Sequence, residues 1–152
     1  MPDQQGVDWP NYNRKQAYEM VLLALCVWRE ARNQPFEGKL AVAWSIRNRV
    51  MKPGKTWWGD DWETVILKRW QYTSFEKSDP NACLLPTDPA LDKTWDDSLV
   101  CAERAYLSSG VDTSQGATHY YNPKIVAAPA WVNAPGTRFV VEIGDHRFYV
   151  AS

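Results

Sequence analysis

Apolar positions fall into three helical stretches and then one alternating stretch. From Met20 to Trp28 nearly every residue is apolar, the pattern of a helix buried on most of its faces. With Asn13 or a neighbour as its cap, this reads as a helix over about residues 15–32. Pro35 stops it and opens a second helix. Leu40, Ala43, Trp44, Arg47, Val50 and Met51 keep helical spacing there, until Pro53-Gly54 ends the run. Asp60 followed by Glu63 has the form of an N-cap with its reciprocal partner, and predicts a short helix through Val65, Ile66 and Leu67. Asp88-Pro89 predicts the start of the last helix, with Leu91, Trp95, Leu99, Ala102 and Tyr106 on its apolar face and Gly110 as its C-cap. Gly116, Pro123, Pro129, Pro135 and Gly136 then break the chain into loops. The stretch from Arg138 to Val150 reads as a hairpin turning at Gly144-Asp145. Helices first and a small sheet last predict an α+β fold, mainly helical with a small C-terminal β-hairpin or sheet. Residues 1–14 read as an N-terminal arm and 15–152 as a single domain, long enough for a real core.

Composition narrows the function. Charge is balanced, 17 Lys and Arg against 18 Asp and Glu, so the basic footprint of a nucleic-acid binder is missing. Nine tryptophans are many for 152 residues; flat rings with a polar edge suit sugar faces as well as cores, and most are expected to pack the core. Three cysteines make an odd count, which does not suit a disulfide framework. Cys26 is expected to be a buried thiol, while Cys83 and Cys101 could pair. No apolar stretch reaches the roughly 18 residues a membrane span needs. The opening Met1-Pro2-Asp3-Gln4-Gln5 shows no basic-then-apolar leader, which suits a trimmed form, another route out of the cytoplasm, or a protein that stays there.

The candidate chemistry centres on Glu30, a carboxyl placed where the most hydrophobic segment ends. An apolar setting favours the protonated acid, and a carboxyl protonated near neutral pH can donate to a leaving oxygen. The plainer alternative is a surface acid paired with Arg29 or Arg32. His119 and His146 lack metal-site spacing, and no phosphate-binding Gly-rich loop or Gly-x-Ser-x-Gly elbow exists. A cysteine nucleophile at Cys83 or Cys101 has no histidine placed beside it in sequence. Glycosidases commonly use two acids. Glu37, Asp112 and Glu142 are the available seconds, but Glu37 suits a helix dipole and Asp112 a turn. A single-acid mechanism, with the substrate supplying the stabilising group, therefore enters consideration.

Several segments in order then resemble the SleB-like cell-wall hydrolases, the family of spore-cortex-lytic catalytic domains. They are Glu30-Ala31-Arg32, Glu37-Gly38, Ala41-Val42-Ala43, Ile46-Arg47-Asn48-Arg49-Val50, Gln71-Tyr72-Thr73, Asp112-Thr113, Gly116-Ala117-Thr118, Tyr120-Tyr121-Asn122-Pro123, Trp131 and Ile143-Gly144-Asp145-His146-Arg147-Phe148-Tyr149. Asn33 stands where the family has glycine, Thr73 where it has serine, and the proline of its Asp-Pro-Thr is absent; these departures bear on substrate preference. The resemblance implies a lysozyme-like fold. It implies cleavage of the β-1,4 bond between N-acetylmuramic acid and N-acetylglucosamine, as a lytic transglycosylase with one Glu acting as acid and then base. By match to the motif that residue is Glu30. Gln71, Tyr72 and Thr73 would line the cleft, with Tyr120, Tyr121 and Asn122 as the opposite wall and His146 bracing the hairpin. Trp57 and Trp58 could stack on glycan or shield the core. The resemblance implies no metal or organic cofactor, and peptidoglycan glycan strands as partner for a chain expected to be monomeric and to act at the cell wall, as a phage lysin or a trimmed bacterial enzyme would. A hydrolytic muramidase and a non-catalytic glycan-binding module are the alternatives.

Overall fold

The computed structural model describes residues 11–52, 57–68, 71–72, 85–86, 88 and 91–151. Residues 1–10, most of the expected arm, lie outside the described residues, as do Pro53-Gly54, Thr73, Cys83 and Pro89. Four helices and a three-stranded sheet make up the described regular structure, together with a 3₁₀ turn at Ala130–Asn133. The helices are α1 (Arg14–Ala31), α2 (Phe36–Val50), α3 (Trp62–Leu67) and α4 (Lys93–Tyr106). The strands are β1 (His119–Tyr121), β2 (Arg138–Ile143) and β3 (His146–Val150), all antiparallel in the order β1-β3-β2.

Asn13 caps α1 as its sequence suggests. Its side chain accepts from Gln16 N while the Gln16 side chain accepts from Asn13 N, which satisfies two donors that a helix start leaves open. The most buried helix is α2 rather than α1: Gly38 through Ile46 are all buried, whereas Tyr18 and Val21 leave α1 one exposed stripe. Pro35 is the N-cap of α2, one residue before its first turn.

Two helix starts differ from the expectation. Asp61, not Asp60, caps α3 and accepts from Thr64 N at 2.7 Å. With the cap there, Trp62, Val65 and Ile66 share one buried face, which settles the choice between neighbouring aspartates. Helix α4 starts four residues later than Asp88-Pro89 suggests. Asp92 is its cap, accepting from Thr94 N and Trp95 N, and Leu91, read from sequence as part of the apolar face, is 82% exposed. The end of α4 also comes early. Ser108, at φ 53°, takes the left-handed position expected of Gly110, with Ser109 N bonded to Arg104 O and Ser108 N to Ala105 O, the bonding pattern of a Schellman stop.

The hairpin turns at Gly144-Asp145 as expected, with a bulge between Phe139 and Val141. Strand β1 lies in the stretch that Gly116 and Pro123 predict to be loop, and it completes the sheet: Tyr120 lies opposite Phe148 and Tyr121 opposite Arg147. Cys26 and Cys101 are buried free thiols. Among the described residues no helix is long and apolar enough to cross a membrane.

Candidate functional site

Glu30 sits in the last turn of α1, at the corner where the chain turns into α2. That helix end is fixed from two sides. Arg32 N continues the helical bonding to Trp28 O. The indole of Trp28 donates to Thr94 Oγ1 at 3.0 Å, tying the end of α1 to the start of α4. The Thr94 hydroxyl in turn donates to the cap residue Asp92, and this bond leads the effects that hold the Asp92 carboxyl below its usual range.

The sheet meets Glu30 through Tyr120, whose hydroxyl donates to Glu30 Oε1 at 3.0 Å. Burial, and then the charge of Glu30, push the Tyr120 phenol well above its ordinary pKa, so it stays a donor at every working pH. Its ring packs edge-on against His146, centroids 5.0 Å apart, and lies beside Phe148 at 5.6 Å. Alternation along β1 therefore turns Tyr120 toward the helices, while His119 and Tyr121 join Trp131 and Tyr149 in a second aromatic cluster.

Glu30 opens onto a cavity of about 780 Å³, within the usual range of ligand sites. Gln71, Tyr120, Tyr121 and Asn122 line it, and so does His146. Tyr72 does not: it is buried behind the wall, its ring 5.5 Å from the Arg49 guanidinium and its phenol pKa raised by burial. Thr73 lies outside the described residues. The sequence reading missed the α1–α2 corner, Arg32 to Gln34, and the segment after β1, Lys124 to Pro129, both of which contribute walls. Trp58 is fully buried and Trp57 is half exposed.

A clamp holds the cavity together. Gln34 donates to Asp145 Oδ2 at 3.1 Å and accepts from Asp145 N at 2.9 Å. The buried Lys39 donates to Gln34 O at 2.6 Å, and Lys124 pairs with Asp145 Oδ1 at 2.6 Å. Gly144 is needed at this contact. It adopts φ +58°, and a Cβ there would meet Gln34 Oε1 and lie 2.9 Å from Pro35 Cδ. The hydrogen bonds from Lys124 and Gln34 hold Asp145 below the usual carboxylate range, so the second acid at the cavity is ionised and engaged. Glu37, Asp112 and Glu142 do not line it. Glu37 sits in the first turn of α2, and Asp112 caps a turn by accepting from Ser114 N and Gly116 N. Among the described residues no cluster of three or more His, Cys, Asp or Glu could hold a metal.

Both histidines are held neutral. Burial, with the charge of Arg49, lowers His119 to about 3, and burial lowers His146 to about 4. In the unfolded chain each would protonate near 6.5, so below that pH the unfolded state binds more protons and stability falls. We expect the urea midpoint to drop steadily from pH 6.5 to about pH 4. Replacing His119 with Asn should flatten that slope, and an unchanged slope would count against the assignment.

A carboxyl at a helix end, gripped by a phenol, faces an open cavity lined by tyrosines and amides, and a group so placed is able to exchange a proton with a bound ligand. The chain belongs to the Cell Wall Hydrolase family, whose model matches residues 33–149; Glu30 lies three residues ahead of that match. The chain is 32% identical over 133 residues to a spore cortex-lytic enzyme of Halalkalibacterium halodurans, covering 86% of this chain and 34% of that protein. It is 31% identical over 143 residues to a spore cortex-lytic enzyme of Oceanobacillus iheyensis, covering 91% and 45%. The chain thus spans less than half the length of these relatives. The crystal structure of the catalytic domain of the Bacillus cereus SleB protein superposes with a TM-score of 0.64 at 26% identity, covering 91% of this chain and 93% of that one. The fold is accordingly that of a SleB-like catalytic domain, mainly helical with a small antiparallel sheet.

Proposed function

We propose that this chain degrades peptidoglycan at the cell wall, cutting the β-1,4 bond between N-acetylmuramic acid and N-acetylglucosamine as a lytic transglycosylase. The observation that carries the reading is Glu30 at the cavity wall with Oε1 taken by Tyr120, in a chain of the Cell Wall Hydrolase family. The names of the spore cortex-lytic relatives support a wall glycan as substrate. Protonated Glu30 gives its proton to the glycosidic oxygen as the bond from that oxygen to the muramic C1 breaks. The muramic C6 hydroxyl oxygen then bonds to C1, and its proton passes to the Glu30 carboxylate, which restores the acid. The tethered state of Asp145 supports one acid in both roles. Gln71, Tyr121 and Asn122 bind the glycan in this scheme, and Tyr120 orients Glu30.

Digestion of purified peptidoglycan followed by mass spectrometry tests the reaction. The expected muramic ends are one water lighter than reducing ends. Reducing ends would instead mean hydrolysis, and intact strands a binding module. Replacing Tyr120 with Phe removes the 3.0 Å hydrogen bond that orients Glu30, a contact worth about 1.5 kcal/mol or more when the carboxyl is ionised. Clearing of wall suspensions should slow by about tenfold or more, in a protein whose far-UV circular dichroism is unchanged.

A further inference from the structure

Resting on that glycan-cleft reading, we infer that Arg49 and Gln71 form a specificity pair that selects sugars bearing an N-acetyl carbonyl over their N-deacetylated counterparts. Arg49 is only 5% exposed, and a buried guanidinium is tolerated where its donors are matched. Its Nε donates to Thr118 O at 2.5 Å and its Nη1 to Gln71 Oε1 at 3.1 Å. The rings of Trp58 and Tyr72 flank it at 5.2 and 5.5 Å, and the Trp58 indole donates to Arg49 O at 3.1 Å. Backbone and side chain of Arg49 are therefore both fixed.

An arginine has donors and no acceptor, so it dictates which way round a facing amide sits. The Gln71 carbonyl turns to Arg49, and the amide N–H groups are what Gln71 can offer a ligand in the cavity it lines. The ligand atom that meets them must accept. An acetamido carbonyl does so, whereas the ammonium left by deacetylation is donor-only and finds no acceptor at this amide. Sugar hydroxyls can turn either way and carry no such discrimination. Arg49 acts through Gln71 and is a positioning residue; Gln71 is the reader.

Calorimetric titration separates this reading from simpler ones. The probes are the tetramer of N-acetylglucosamine and the tetramer of glucosamine, each titrated into a Glu30→Gln protein so that no cleavage intervenes. The acetylated tetramer should bind at least about tenfold more tightly, the scale on which an unmatched polar group is rejected. Adding Gln71→Glu keeps the shape and the contact to Arg49 but removes the donors, and the preference should vanish or invert. Gln71→Met, with no polar end, should also abolish it. Arg49→Lys keeps the charge yet cannot serve Thr118 and Gln71 together, so it should narrow the preference in a protein whose circular dichroism is unchanged. A preference that survives in Gln71→Glu and Gln71→Met overturns the pair. If the folded parent binds neither tetramer, the glycan reading beneath it falls as well.

Discussion

Glu30→Gln is expected to lower the rate of wall clearing by at least about 100-fold, the scale of losing a general acid, while leaving glycan binding nearly intact. The amide has the size of the acid and can still accept from the Tyr120 hydroxyl, so the 3.0 Å contact that positions residue 30 survives. What it lacks is the proton to give and the charge to take one back. Asp145 offers no substitute, because Lys124 and Gln34 hold it ionised. Turbidity assays with titration of an N-acetylglucosamine tetramer separate the two effects. Full clearing by the variant would sink the assignment of Glu30. Loss of both clearing and binding would point instead to a damaged cleft.

The second large effect is one of stability, and it distinguishes two adjacent tryptophans. Trp58 is 0% exposed and Trp57 is 52% exposed. Trp58 stands edge-on to His119 at 5.7 Å, lies under the Arg49 guanidinium and donates to Arg49 O. Trp58→Ala should cost about 3–5 kcal/mol, the usual range for a buried large aromatic, and leaves a backbone carbonyl without its donor. Trp57→Ala should cost well under about 1 kcal/mol. Urea unfolding followed by far-UV circular dichroism measures both. Similar midpoints for the two variants would show that the buried ring is not what holds this corner of the core.

Much of this was legible along the chain, and the parts that were not share a cause. The cap at Asn13 and the hairpin turn at Gly144 are local. One is a side chain three residues from its partner, and the other is a break in an alternating run, so the sequence carries both ends of each interaction. The choices between Asp60 and Asp61, and between Asp88 and Asp92, depend on which neighbouring apolar residue finds a core to enter. Trp62 finds one and Leu91 does not, and nothing within those few residues says so. Strand β1 has no signature of its own, because three residues between breakers carry too little pattern; pairing with β3 makes it a strand. At the site, Glu30 stood out because a charge ended an apolar run. Arg49 carries a comparable signal, since it falls one and two turns beyond Ser45 and Val42 on the buried side of α2. Gln34 and Asp145 gave no local sign, since their bond joins residues 111 apart.

That long reach has a consequence for when the cleft comes into being. Glu30 belongs to α1, but the hydroxyl that grips it belongs to a residue 90 positions further on, and β3, the strand beside that residue, follows later still. Closing contacts of such separation comes late and slowly in folding. On a ribosome Glu30 emerges before Tyr120 and before the β2–β3 hairpin that holds Tyr120 in the sheet, so the cavity around the acid is completed only when that hairpin docks.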